Sequence, residues 1–95
     1  MLVFIKSAAD TPEGKRGLRL ACDMSADIVL LQNGVYFLQG ERLQDAGFTG
    51  KAYVLEDDRR LRGLSKDNDR KNIQDISYDG LVDLMAESGK VIGMF

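Results

Sequence analysis

Residues 28–34 have the sequence IVLLQNG, in which four consecutive apolar side chains lead into the pair Asn33 and Gly34. A continuous apolar run of this length is typical of a strand buried on both faces of a parallel sheet. Asn-Gly indicates a hairpin when strands of alternating pattern flank it, and the upstream flank here does not alternate. The stretch therefore predicts a buried strand at residues 28–31, a strand-to-helix turn, and a helical segment over residues 35–39.

Strand and helix patterns alternate along the rest of the chain. Short apolar runs predict further strands at residues 2–5, 52–55, 73–76 and 91–95. Helices are predicted to begin after Thr11, to cover residues 58–64, and to run from Ser77 to Gly89, while residues 40–50 are irregular with room for a second short helical piece. Strands that alternate with helices form parallel sheets covered on both faces. We therefore expect one α/β domain over residues 1–95, with three layers (α/β/α) and a five-stranded, mainly parallel sheet.

Two of the predicted helices have a stripe of residues that should face the sheet. On the first helix the stripe consists of Leu18, Ala21, Cys22 and Ser25. On the last helix it consists of Tyr78, Leu81, Val82 and Met85, with the acidic residues Asp79, Asp83 and Glu87 facing out.

The chain has one cysteine, Cys22, and no histidine. Catalysis by a histidine base, metal binding by histidine and an internal disulfide are thereby excluded. Three consecutive acidic residues at positions 56–58 fit the start of a helix, where carboxylates are favourable, and such a run seldom converges on one cation. No metal site and no cofactor are therefore predicted.

Net charge and hydropathy limit the partners of the chain. The net charge is −2, which does not favour broad binding to nucleic acid. Six basic residues lie between positions 59 and 71, but Asp67 and Asp69 interrupt them and no aromatic residue is interleaved, so we expect a solvated surface. No apolar run approaches the ~20 residues that cross a bilayer. A lone cysteine without an export signal is typical of the cytoplasm.

The turn at Gln32, Asn33 and Gly34 is a candidate binding site. It follows the second strand, and ligands bind at the carboxyl ends of parallel strands. Backbone N–H groups at the start of the next helical segment can hold an anion, and Asp58 is expected at the same edge. The alternative is an ordinary turn, in which Asn and Gly tolerate positive φ.

A candidate subunit interface is predicted from three consecutive bulky residues, Tyr36, Phe37 and Leu38. One helix cannot bury all three side chains on the same face, so part of this group is expected to be exposed. Phe95 is expected to add to the same interface.

Four stretches of the chain form an ordered set: IVLLQNGVY (28–36), AYVLEDD (52–58), LRGL (61–64) and ISYDGLVDL (76–84). In order and spacing the set resembles the DsrH/TusB family of the DsrE/DsrF/DsrH-like superfamily, over nearly the whole chain. The resemblance implies a three-layer fold with a five-stranded sheet and a place in cytoplasmic sulfur relay. In that family's pathways, persulfide sulfur is passed towards 2-thiolation of the tRNA wobble uridine or serves dissimilatory sulfur metabolism.

The resemblance also implies partners. They are DsrE- and DsrF-like (TusD- and TusC-like) subunits in a hetero-oligomer, or a second copy of the chain as in some stand-alone relatives, together with a sulfur-carrier protein. Direct binding of nucleic acid and of a membrane is not expected. In the DsrE/TusD branch the sulfur-accepting cysteine follows a middle strand, and the matching residues 55–58 here include no cysteine.

Cys22 is the one candidate catalytic residue, because it is the leading candidate for covalent chemistry in a chain without histidine. The resemblance leaves its role open, since some DsrH-type members carry a cysteine on the first helix and TusB-type members can lack it. A sulfur carrier needs an accessible thiolate. The predicted position of Cys22 near the C-terminal end of a helix and beside Asp23 raises a thiol pKa, and Arg19 offsets this in part. A small buried side chain is the alternative.

We therefore expect a sulfur-relay subunit with a mainly structural role in assembly. The alternatives are a persulfide carrier that acts through Cys22 and a stand-alone homodimeric module that binds a small anion at residues 32–34.

Overall fold

The computed structural model describes residues 1–66, 69–88 and 90–95. Its elements follow one another in the order expected from the alternating pattern. The strands are β1 (Leu2–Ile5), β2 (Asp27–Leu30), β3 (Ala52–Leu55), β4 (Ile73–Ile76) and β5 (Val91–Met94). The helices are α1 (Pro12–Met24), α2 (Arg42–Asp45), α3 (Glu56–Leu61) and α4 (Tyr78–Ser88), and a 3₁₀ helix spans Gln32–Leu38.

The five strands form one sheet in the order β4-β3-β2-β1-β5. All four pairings are parallel, with Ile28 of β2 opposite both Val3 of β1 and Ala52 of β3. The predicted α/β fold with a five-stranded parallel sheet is therefore confirmed. The strand order places β2, the strand of the IVLLQNG stretch, at the centre of the sheet.

The helices cover the two faces of the sheet unequally. On one face α1, the 3₁₀ helix and α2 enclose the larger core, which includes Ile5, Leu18 and Phe37. On the other face α4 covers a smaller core around Phe4, Val29 and Leu81. Successive strand residues point to opposite faces, so the continuous apolar run at positions 28–30 supplies both cores.

Helix α1 begins as predicted and ends differently. Thr11 is its N-cap and accepts a hydrogen bond from Gly14 N–H at 3.1 Å, with Pro12 as the first helical residue. Leu18 and Ala21 are buried as expected. Ser25 does not belong to the buried stripe, because it is the exposed C-cap residue in a left-handed conformation (φ 52°).

Helix α4 begins after Ser77, whose side chain accepts a hydrogen bond from Gly80 N–H at 3.0 Å. Its predicted buried stripe is only partly correct. Leu81 is buried, whereas Tyr78, Val82 and Met85 are 58%, 65% and 42% exposed. Leu84 packs against the small core instead. Apolar residues therefore extend around more of the surface of α4 than the sheet covers.

Other differences concern element boundaries. The helical segment after β2 begins at Gln32 and is a 3₁₀ helix, and α3 begins at Glu56 instead of residue 58. Two predictions, Gly89 as the end of the last helix and Asp67 as an interruption of the basic run, lie outside the described residues. None of the helices in the described ranges is long and apolar enough to cross a membrane.

Candidate functional site

The carboxyl edge of the sheet brings the four predicted binding residues together. Gln32 N–H donates a hydrogen bond of 2.7 Å to the carboxylate of Asp58, which links the end of β2 to α3. Arg62 donates from Nε and Nη2 to the side-chain oxygen of Asn33 at 3.3 and 3.2 Å, and its Nη1 lies 3.8 Å from the Asp58 carboxylate. Asp58 and Arg62, spaced by four residues, therefore form an ion pair at this edge.

One of these contacts occupies a backbone N–H group that an anion would need. The Gln32 N–H already donates to an anionic group of the chain itself, the Asp58 carboxylate. Gln32 has a positive φ of 50°, a strained conformation for a residue other than glycine. The geometry supports a cross-linked strand-to-helix turn, and it gives the anion-binding hypothesis no support.

Gly34 fixes how closely this turn approaches the sheet. A Cβ atom at this position would lie 1.9 Å from the carbonyl oxygen of Ile5 and 2.7 Å from its carbonyl carbon. The Ile5 oxygen also accepts a hydrogen bond from Leu31 N–H at 3.1 Å. Gly34 is thus required by close backbone packing, a requirement that its place in an Asn-Gly pair does not reveal.

Cys22 lies in the last turn of α1 and is neither fully buried nor freely exposed. Its Sγ lies 3.8 Å from the carbonyl oxygen of Ala46, across the gap between α1 and the residues that follow α2. The side chain lines a surface cavity of about 520 Å³, together with Leu18 and Phe37. The cationic side chains that line the same cavity are Lys15, Arg19 and Arg42.

The environment of Cys22 favours the neutral thiol. Partial burial raises its pKa above the ordinary value, and the negative charge of the adjacent Asp23 raises it further. Asp23 therefore acts as predicted from the sequence. Because the thiolate is the nucleophile, this shift lowers the reactive fraction of Cys22 at neutral pH.

The four predicted interface residues occupy different environments, and Leu38 is partly buried against the large core. Phe37 is 3% exposed and belongs to the large core, so in the single chain it is not part of an exposed surface. Tyr36 is half-buried on the 3₁₀ helix. Phe95 packs over Gly17 of α1, where an added Cβ would lie 2.9 Å from the Phe95 Cβ. A 3₁₀ helix followed by an extended chain thus distributes the bulky residues differently from the predicted α-helical turn.

A cluster of ion pairs around Arg59 was not predicted. Arg59 is 2% exposed, although its sequence position lies in the run expected to be solvated. Its Nη1 donates to Asp69 at 2.8 Å and to Asp75 at 2.7 Å, and its Nη2 donates to the carbonyl oxygen of Ser65 at 2.9 Å and to the other oxygen of Asp69. Lys66 Nζ lies 2.7 Å from the second oxygen of Asp75. The cluster ties α3, β4 and the intervening loop together.

The electrostatics of this cluster depend on its pairing. Burial alone would raise the pKa of Asp75, but hydrogen bonds and charge from Lys66 and Arg59 outweigh it and hold that pKa below its ordinary value. For Arg59, burial acts to lower the pKa, and the paired carboxylates outweigh it. The rest of the basic run is also paired in part: Arg60 with Asp57 and Arg70 with Glu41, at 3.5 and 3.6 Å.

Comparison with known proteins adds three findings. The model of the family described as DsrH like protein matches residues 6–91. The solution NMR structure of protein Tm0979 from Thermotoga maritima is similar, with 33% sequence identity, 94% of each chain covered and a TM-score of 0.63. No curated protein matches the chain.

Proposed function

The chain belongs to the DsrH-like family, and from this premise we propose that it is a subunit of a sulfur-relay system whose role is assembly. In this role it shapes an oligomer that presents a cysteine of another subunit to the sulfur donor. The observation that carries the proposal is the family match over residues 6–91. The single thiol of the chain, that of Cys22, is half-buried and its pKa is raised, which fits a role other than sulfur carriage.

The segment after β3 supports an assembly role. Leu55 ends β3 and is followed directly by Glu56, the first residue of α3. Three acidic residues lie at the start of α3, and the family resemblance matches this segment to the loop in which the DsrE-type branch keeps its sulfur-accepting cysteine. Negative charge at this position opposes formation of a thiolate or a persulfide anion nearby. The proposal therefore assigns the transferred sulfur to a partner subunit.

The proposal includes partners and a compartment. We propose a cytoplasmic hetero-oligomer with DsrE- and DsrF-like subunits and, as the receiving pathway, 2-thiolation of the tRNA wobble uridine or dissimilatory sulfur metabolism. A homodimer of this chain is the alternative assembly. Mass measurement of the chain alone and of the chain mixed with both subunits distinguishes the two assemblies.

A second candidate function is sulfur carriage by Cys22 itself. The observation in its favour is the cavity beside Cys22, which is open to solvent and has more cations than carboxylates in its lining: Lys15, Arg19 and Arg42 against Asp23 and Asp45. These cations can attract an anionic persulfide and partly offset the effect of Asp23. The raised pKa of Cys22 acts against this candidate.

The reactivity of Cys22 tests the choice between the two candidates. We expect the folded protein to react with iodoacetamide at neutral pH more slowly than the same chain in denaturant, because its thiolate fraction is smaller. Since the folded pKa is raised, the rate should increase with pH along a curve displaced to higher pH than for the unfolded chain. The rate is measured from the loss of free thiol by mass spectrometry.

The same preparation is then incubated with a small-molecule persulfide donor. On the assembly proposal, we expect no stable gain in mass of one sulfur atom on Cys22. Asp23→Asn is the matched variant for the alkylation assay, because loss of the neighbouring negative charge should lower the thiol pKa and speed alkylation. Rapid alkylation together with one added sulfur atom, absent in Cys22→Ser, would establish the carrier function instead.

A further inference from the structure

The outer side of α4 is an apolar surface that no residue in the described part of the chain covers. Its helical members, Tyr78, Val82 and Met85, are 58%, 65% and 42% exposed. Their spacing of four and three residues places them in one stripe along the helix. Single exposed apolar residues are ordinary, but a contiguous stripe of large ones marks a contact surface.

Strand β5 adds exposed apolar residues on the same face of the sheet. Met94 is the register partner of Phe4, and Phe4 belongs to the small core beneath α4. Register partners on adjacent strands point to the same face of a sheet, so Met94, which is 60% exposed, emerges on the α4 side. Val91, paired with Leu2 and 41% exposed, lies on that face as well. We call these five residues, Tyr78, Val82, Met85, Val91 and Met94, the α4 face.

A row of carboxylates borders the α4 face. Asp79, Asp83 and Glu87 are spaced by four residues, so they form a line on the solvent side of the apolar stripe, and all three are exposed. None of them forms an ion pair within residues 1–66, 69–88 and 90–95. Helix α4 contains no basic residue, and Glu87 lies at the negative end of the helix dipole. The negative charge is thus left for an outside partner to neutralise.

This charge pattern argues against a second copy of the chain as the occupant. A two-fold symmetric contact uses the same patch on both copies. It would bring two acidic rows to one interface, with no cation on either α4 to offset them. Like charges placed together across an interface are unfavourable and select against the wrong partner. The occupant must instead carry positive charge beside an apolar strip.

We propose that the α4 face is the docking surface for a basic amphipathic helix of another protein, in which an apolar stripe is flanked by a row of lysine or arginine residues. The inference rests on the proposal that the chain is an assembly subunit and names the chemistry of the partner it would bind. Apolar side chains of such a helix cover Tyr78, Val82 and Met85, while its cations pair with Asp79, Asp83 and Glu87.

The test uses two synthetic helical peptides and the full chain. Both peptides carry the same leucine stripe, and the flanking row is lysine in one and glutamate in the other. Fluorescence anisotropy is expected to show the lysine peptide binding at least ~10-fold more tightly than the glutamate peptide, with an affinity that falls as salt is raised.

Three variants separate the contributions. Val82→Gln with Met85→Gln keeps helix propensity and charge, and it should weaken the lysine peptide about tenfold or more because apolar burial is lost. Asp83→Lys with Glu87→Lys should reverse the preference in favour of the glutamate peptide. Leu61→Gln is the control, since Leu61 is 81% exposed on α3 and outside the α4 face, and it should leave both affinities unchanged. Circular dichroism confirms that each variant is folded.

Equal affinity for the two peptides, or unchanged binding by the Val82→Gln, Met85→Gln variant, would overturn the inference. So would a wild-type dimer that this variant converts to a monomer, because a second copy would then be the occupant. No sulfur donor or relay subunit enters this assay, so its failure leaves the proposed function to be decided by measuring sulfur transfer in a reconstituted relay.

Discussion

Gly34→Ala is expected to destabilise the protein by about 4 kcal/mol or more, a large part of the ~5–15 kcal/mol that holds a domain folded. The added Cβ would lie 1.9 Å from the Ile5 carbonyl oxygen. That oxygen lies at the end of β1 and accepts the Leu31 N–H, so it cannot move away without disturbing the junction of β1 and β2. The loss should appear as a melting temperature lower by at least ~15 °C.

Gly40→Ala is the matched control for Gly34→Ala. Gly40 has a positive φ of 61°, but no atom lies within 4 Å of an added Cβ. It should therefore lose only the ~1–2 kcal/mol of a left-handed conformation. Chemical denaturation of both variants gives the comparison. If Gly34→Ala were as stable as Gly40→Ala, the 3₁₀ helix would not approach β1 as closely as described.

Asp75→Asn is expected to have the second largest effect, a loss of about 2–4 kcal/mol at neutral pH. The substitution removes one of the two carboxylates that neutralise the buried Arg59 guanidinium. It also leaves Lys66 without the carboxylate oxygen at 2.7 Å. Removing one partner of a buried ion pair is costly because the remaining charge stays away from water. Urea denaturation measures the difference, with the exposed pair of Asp57 and Arg60 as control through Asp57→Asn.

The effect of Asp75→Asn should depend on pH in a defined direction. The folded pKa of Asp75 lies below its unfolded value, so its stabilising contribution is present above an unfolded pKa of about 3.9. The contribution is lost as pH falls through the folded pKa. The stability gap between wild type and Asp75→Asn should therefore narrow below about pH 4. A gap of constant size down to pH 2 would show that the carboxylate charge is not its source.

The apolar pattern was sufficient to predict the sheet and its parallel pairing. Every residue in the run 28–31 is apolar, so both faces of the predicted strand carry apolar side chains. This pattern is typical of a strand that is covered on both sides. The pattern could not predict which part of α4 is covered, because the helix has apolar residues on more of its surface than the sheet contacts. Periodicity alone does not distinguish an apolar residue that faces the core from one that faces a partner.

The candidate sites depended on contacts between distant segments. The sequence correctly placed Cys22 near the end of α1 and beside Asp23, since both are local features. It gave no sign that Arg59 is buried, because the two carboxylates that neutralise it are 10 and 16 residues away. It also did not show that the Asp58 carboxylate accepts the hydrogen bond of the Gln32 N–H, where an external anion was expected, because the two residues are 26 positions apart.

Sulfur transfer in a reconstituted relay tests the assembly proposal most directly. The chain is combined with DsrE- and DsrF-like subunits and a persulfide donor, and the sulfur bound to the partner's cysteine is measured by mass spectrometry. The proposal predicts that Cys22→Ser supports transfer as well as the wild type does, and that omission of the chain abolishes the oligomer and slows transfer. Transfer lost in Cys22→Ser, with the oligomer intact, would contradict the proposal and make Cys22 the sulfur carrier.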